Sequence, residues 1–199
     1  MADPTVLTIH TDGAARGNPG PAAFAYTIER DGAEPVEEAG RLGRLTNNQA
    51  EYIALVRALE HALELGAGCQ VVVHSDSELM VKQMNGAYRV KNEDLRDLYE
   101  QAQALRRRFR GGVIFRHVRR EENRRADQLG NEALDGLREP TPRASHFAKA
   151  PAPSAAAPSL RAEALACLRQ AAAPPERVWE QLVAVLKRHG VALPPDARG

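Results

Sequence analysis

Cysteine is nearly missing from this chain. Cys69 and Cys167 are the only two among 199 residues, which excludes a disulfide framework and any cysteine-rich zinc site. Long apolar runs are missing as well. The first dozen residues hold none long enough for a signal peptide or a membrane span, so the expectation is a cytoplasmic protein with no membrane partner. Net charge is close to absent, with 27 basic side chains against 26 acidic ones. That excludes bulk polycationic attraction as a mode of action but leaves segregated charge open. Lysine supplies only four of the basic residues, and the other 23 are arginine. Between Gln103 and Arg125, nine arginines stand against two glutamates. There is no internal repeat, which excludes solenoids and arrays.

What is present changes character near residue 138. The segment 139–199 carries nine of the 13 prolines and only two of the 15 glycines. Within it, residues 140–158 show no apolar periodicity and read as an extended, semi-rigid linker. Leu160, Leu165 and Leu168, then Val178, Leu182, Val185 and Leu186, recur at helical spacing, with Pro175 placed to open the second stretch. The reading is therefore three parts: a main domain over 1–137, a Pro/Ala-rich linker over 138–158, and a small helical segment over 159–199. A helical pair of that size buries too little apolar surface to stand alone. It either docks on the main domain or offers Trp179, Leu182, Val185 and Leu186 to a protein partner.

The main domain alternates in type. Strands are predicted over 6–11, 22–29 and, more weakly, 36–42, with a Gly/Pro-rich turn between the first two. Thr46 is a good helix N-cap with Gln49 three residues on, as a capping box requires. Ala50, Ile53, Ala54, Leu59, Ala62 and Leu63 then form one apolar face, and Gly66 closes the helix. A buried strand follows over 70–74 and a short helix over 77–86. Asn92 caps a helix over 94–109, a last strand runs over 113–118, and Asn123 opens a helix through 134. The order βββαβααβα calls for an α/β fold with a mixed five-stranded sheet and flanking helices.

Four carboxylates stand where predicted elements begin or end. Asp12 and Asp76 follow strands directly, Glu51 lies in the first turns of its helix, and Asp127 lies one turn into the last. If the first and fourth strands are adjacent and parallel, Asp12 and Asp76 emerge side by side beyond their carboxyl ends, where ligands gather in such sheets. Acids packed that closely need protons or divalent cations, and an all-oxygen ligand set favours Mg²⁺ or Mn²⁺ over zinc. Each also has an ordinary reading when taken singly. An aspartate after a strand forms turns, a glutamate near a helix start complements the dipole, and Asp127 sits among arginines.

The text around these acids is more specific. TDGAARGNPGP at 11–21 resembles the opening signature of type 1 ribonuclease H. TNNQAE at 46–51 resembles its second motif, SDS at 75–77 its third, and NRRAD at 123–127 its fourth. They arrive in order, the acids separated by 39, 25 and 51 positions, and the resemblance covers about residues 5–136. It implies a ribonuclease H-like fold and an endonuclease, a hydrolase cutting the RNA strand of RNA–DNA hybrids to leave 5′-phosphate and 3′-hydroxyl ends. It implies two Mg²⁺ ions per site, with Mn²⁺ able to substitute. Asp12, Glu51, Asp76 and Asp127 would be both the catalytic and the metal-binding residues. Asp12 would bridge the ions, Glu51 and Asp76 would complete the one beside the leaving 3′-oxygen, and Asp127 the one that activates water. Asn18, Asn48 and Gln49 would read the hybrid minor groove through 2′-hydroxyls and base-edge acceptors, with Gly17 and Gly20 admitting close backbone approach. Thr46 and Asn92 would hold a phosphate of the DNA strand, and the enzyme would act as a monomer.

Two departures from the family pattern stand out. The stretch 84–92 is too short for the basic, Trp-containing loop of many members, which implies weaker hybrid binding unless Arg106, Arg107, Arg108 and Arg110 compensate. For these arginines a solvated helix face is the simpler reading. The family's histidine in a glycine-rich loop has only His117 as a counterpart, within the predicted strand over 113–118, and Glu122 or Asn123 is the alternative for that accessory role. Two other functions stay open at this point: a relative that cuts duplex RNA, and a non-enzymatic hybrid-binding module.

Overall fold

In the computed structural model the described residues are 5–137 and, beyond them, Val183. All but Val183 fall in the first of two units into which the chain divides, Met1–Ala152 and Pro153–Gly199. The expected linker and, apart from Val183, the expected helical segment, with the candidate partner face at Trp179, Leu182, Val185 and Leu186, lie outside the described residues.

The strands are β1 (Val6–Ala15), β2 (Gly20–Arg30), β3 (Val36–Leu45), β4 (Gln70–Ser75) and β5 (Val113–His117). Runs with β-branched residues build three of them, β1, β4 and β5, while β2 is alanine-rich and β3 carries only Val36 of that type. The helices are α1 (Asn47–Gly66), α2 (Glu78–Met84), α3 (Glu93–Arg106) and α4 (Arg124–Asp135), with a single 3₁₀ turn at Arg120–Glu122 before the last. The order βββαβααβα is the one expected. The sheet runs β3-β2-β1-β4-β5, antiparallel from β3 to β1 and parallel from β1 through β5. This is the mixed five-stranded sheet with flanking helices that the order of elements called for.

The strand alternation sends two unlike faces to two unlike partners. Leu7 and Ile9, Phe24, Tyr26 and Ile28, Val71 and Val73, and Val113 and Phe115 share one large core with α1 and α3. Ala23, Ala25 and Ala39 form a smaller cluster with Leu129, Ala133 and Leu134 of α4. Small side chains on that second face let α4 lie close against β1, β2 and β3. The start of α1 is held as its sequence requires. Thr46 and Gln49 form a reciprocal capping box, worth about 1 kcal/mol at such a position.

Two boundaries that extend or shorten an element differ from the sequence reading for visible reasons. β1 continues past Thr11 to Ala15, because Ala14 and Ala15 still pair with Ala23 and Ala22; Asp12 therefore lies inside the strand. The parallel ladder with β4 does stop at Thr11 opposite Ser75, so Asp12 and Asp76 are the first residues beyond it. α3 ends at Arg106 rather than 109, since Phe109 turns into the core. Among the described residues, no helix is long and apolar enough to cross a membrane.

One contact sets the spacing of α1 from β1. A Cβ on Gly13 would lie 2.1 Å from the backbone nitrogen of Glu51 and 2.3 Å from the carbonyl carbon of Ala50. Nothing flexible is there to yield. Gly13→Ala is expected to destabilise the domain by about 3 kcal/mol or more, the upper end of overpacking costs. Urea unfolding of the full chain measures this, and an unchanged midpoint would refute the close approach.

Candidate metal centre

The four acids reach one place from four elements. Asp12 comes from the middle of β1, Asp76 from the end of β4, Glu51 from the second turn of α1 and Asp127 from the first turn of α4. All four line a cleft of about 260 Å³, together with Arg16, Asn47, Arg120 and Asn131. The grouping inside it is three and one. Oxygens of Asp12, Glu51 and Asp76 lie within 4.8 Å of one another. Asp127 faces the same cleft but is engaged by the Arg120 guanidinium.

Two glycines make the convergence possible. Without a side chain on Gly13, α1 brings Glu51 up to β1 beside Asp12. On the other side, a Cβ on Gly130 of α4 would lie 3.1 Å from Oδ2 of Asp12. The polar supports are specific. Asn123 is fully buried and its Nδ2 donates to the Thr11 carbonyl at 2.9 Å and to Oδ1 of Asp76 at 3.0 Å. Asn131 donates to the backbone carbonyl of Asp127 at 2.9 Å and to its Oδ2 at 3.3 Å.

The electrostatics are those of a site short of positive charge. Asp12 and Glu51 are each only 5% exposed. Burial, then the charges of Asp76 and Asp127, push the Asp12 carboxyl up to about 7, with Arg120 pulling the other way. Burial, then Asp12 and Asp76, hold Glu51 well above the usual carboxylate range, against hydrogen bonds from Gly13 and Asn47. Oε2 of Glu51 is buried with no hydrogen-bond partner. An orphaned buried oxygen among acids that resist ionising is what a cation would satisfy, and an all-oxygen donor set suits a hard divalent ion.

The remaining sequence candidates are placed around this cleft or within caps. Asn18 is exposed and its Oδ1 accepts from the backbone nitrogen of Asn47 at 3.2 Å, tying the β1–β2 turn to the start of α1. Asn48 is exposed. Oε1 of Gln49 accepts from the backbone nitrogen and hydroxyl of Thr46, while no bond from its Nε2 is seen among the described residues. Asn92 caps α3 by accepting from Asp94 and Leu95. His117 ends β5, exposed and in register with Ser75, and does not line the cleft. Glu122 accepts from the backbone nitrogen of Arg119 and closes the 3₁₀ turn. Arg106 is half-buried, donating to the Met84 carbonyl and lying over the Phe115 ring. Arg107, Arg108 and Arg110 are exposed. They lie near the turn that meets the amino end of β4, the end opposite Asp76.

Sequence reasoning missed Arg120, whose only signal was a cation seven residues before Asp127. It read Asn123 as a helix opener and as an alternative to Glu122 for the accessory role; the side chain makes no cap bond and turns into the site.

A family model described as Reverse transcriptase-like matches residues 10–133. Ribonuclease HI of Halobacterium salinarum is 46% identical over 125 residues, covering 62% of this chain and 62% of the relative. A bifunctional protein of Mycobacterium tuberculosis is 43% identical over 131 residues, 65% of this chain and 35% of the relative. The match thus spans about a third of the mycobacterial protein and about three fifths of the halobacterial one. Among solved structures, LC11-RNase H1 in complex with an RNA/DNA hybrid is 40% identical with a TM-score of 0.62, covering 66% of this chain and 98% of that one.

The raised carboxyls carry a linkage consequence. With Asp12 near 7 in the fold against an ordinary 3.8, the folded state binds the extra proton through that window, so cation-free stability falls as pH rises across it. A divalent cation offsets the repulsion that appears. The melting-temperature gain on adding Mg²⁺ to the full chain is expected to be larger at about pH 8 than at about pH 5.5. Equal gains at both would contradict a cation seat on these acids.

Proposed function

Because the chain belongs to the type 1 ribonuclease H family, we propose that it is an endonuclease hydrolysing the RNA strand of RNA–DNA hybrids, using two divalent cations, Mg²⁺ with Mn²⁺ able to substitute. The observation that carries the reading is the three-and-one grouping of acids in a single cleft, with a buried carboxylate oxygen of Glu51 left unsatisfied.

Asp12, Glu51 and Asp76 would hold one cation, and Asp12 with Asp127 the other. A cation pair of this kind supplies an activated water and neutralises charge that develops on phosphorus and on the leaving oxygen. The chain's own groups do the rest. Asn123 holds Asp76 in place, Asn131 does the same for Asp127, and α1 carries Glu51 at a distance from Asp12 that Gly13 permits. Arg120 stands in for missing charge at Asp127. Its side chain is 70% exposed, so it can swing out toward a phosphate once a cation takes over. The expected ends are 5′-phosphate and 3′-hydroxyl.

Hybrid selection rests on the rim. Asn18, Asn48 and the Nε2 of Gln49 offer short donors to 2′-hydroxyls and base-edge acceptors without reading sequence. Thr46 and Asn92, at the caps of α1 and α3, would hold a DNA phosphate. His117 or Glu122 would serve as the accessory residue, and the active species would be a monomer in the cytoplasm. The short loop 84–92 favours weaker hybrid binding than a basic protrusion confers.

Matched RNA–DNA hybrid, RNA duplex and DNA duplex assayed side by side with Mg²⁺ test the proposal; the hybrid's RNA strand alone should be cut. Cleavage of duplex RNA at the same rate would move the protein to the neighbouring nuclease reading. Asp12→Asn is expected to lower cleavage by at least about 10²–10³-fold, the scale of losing a preorganised electrostatic group, while hybrid binding stays measurable. Near wild-type cleavage by this variant would overturn the assignment. Arg120→Ala is expected to tighten divalent-cation binding about two- to fivefold, since an exposed ion pair of about 0.5–1 kcal/mol no longer has to be broken. Calorimetric titration of the full chain reads this directly.

A further inference from the structure

One cluster of ligating side chains is not used by the site above. His10 of β1 and His74 of β4 are register partners across the parallel ladder. Their rings stand nearly perpendicular, at 80°, with centroids 4.8 Å apart, and Nδ1 of His74 lies 3.4 Å from Nε2 of His10. Both are half-buried. His10 shares a sheet face with Asp12, two residues on along β1, and His74 lies two residues before Asp76, so the pair stands ~7 Å behind the carboxylate layer.

We propose that His10 and His74 form a second metal site, distinct from the carboxylate cleft, for a borderline transition-metal ion such as Zn²⁺, Ni²⁺ or Cu²⁺. The spacing is the first argument. Two imidazole nitrogens at ~2.0–2.1 Å from one tetrahedral metal lie ~3.3–3.4 Å apart, and the observed separation is 3.4 Å. Rigidity is the second. Both side chains spring from paired positions in central strands, so their relative placement is set before any ion arrives. Ligand chemistry is the third: neutral imidazole selects these ions, whereas carboxylates select Mg²⁺. Glu122 and Glu29 are the acids that act on His74, and Arg116 is the opposing cation. Among the described residues only the carboxylates gather three ligands, so water completes the histidine site. An ion seated here clamps β1 to β4 immediately behind Asp12 and Asp76.

The inference does not depend on nuclease activity, and its test keeps the two separate. The full chain in saturating Mg²⁺, which occupies the carboxylates, is titrated with Ni²⁺ by calorimetry. Binding is expected to be roughly tenfold weaker or more in His10→Gln and in His74→Gln, since each loses a direct ligand rather than an outer partner. It is expected to be unchanged in Asp12→Asn. Equal Ni²⁺ affinity in the wild type and both histidine variants, or no binding by the folded wild type, would reduce the pair to an N–H···N hydrogen bond. Should either variant fold poorly, substoichiometric Cu²⁺ added to the wild type decides by NMR. Selective broadening of the His10 and His74 ring signals supports the site, and its absence overturns it.

Discussion

Mutual repulsion of buried carboxylates is the constraint around which this domain is arranged. Asp12 and Glu51 are almost wholly removed from water and share their space with Asp76. Each would gain by moving away. What prevents it is backbone, not side-chain attraction: α1 is seated against β1 where Gly13 has no Cβ, and α4 against Asp12 where Gly130 has none. The stability of the surrounding packing is what holds the acids in a geometry they would not choose. The raised Asp12 and Glu51 carboxyls are the visible trace of that opposition.

The two faces of the sheet divide this work. Large apolar side chains of β1, β2, β4 and β5 meet α1 and α3 and supply most of the buried surface, the dominant favourable contribution to folding. The alanine-lined face contributes less burial but brings α4 close enough for Asp127 to enter the cleft. Polar groups then aim individual acids. Asn123 spans from the Thr11 carbonyl to Asp76, joining β1, the end of β4 and the start of α4 through one side chain. Arg120 adds the only strong counter-charge to Asp127 among the described residues.

The order and type of elements were legible because hydrophobic period and capping chemistry are local. The Thr46–Gln49 box, the β-branched run at 70–74 and the Asn92 cap each announce an element within a few residues of themselves, and all are found. Strand length was less legible. That β1 continues to Ala15 depends on the partner β2 supplies, and no local signal marks it. Asn123 shows the same limit. Its residue type and position fit a helix cap, but a carboxylate and a carbonyl from distant strands offered better partners.

By itself the sequence determined which four acids could act together, since their motifs, order and spacing are properties of the chain. It also determined the α/β class, because periodicity and punctuation need no tertiary information. Only the tertiary structure decided that three acids cluster while Asp127 stays with Arg120, that Arg106 is packed rather than solvated, and that His10 and His74 meet across β1 and β4. The reason is physical: such pairings depend on strand register and on how near a helix can approach a sheet. Both are settled by contacts between residues far apart in the chain.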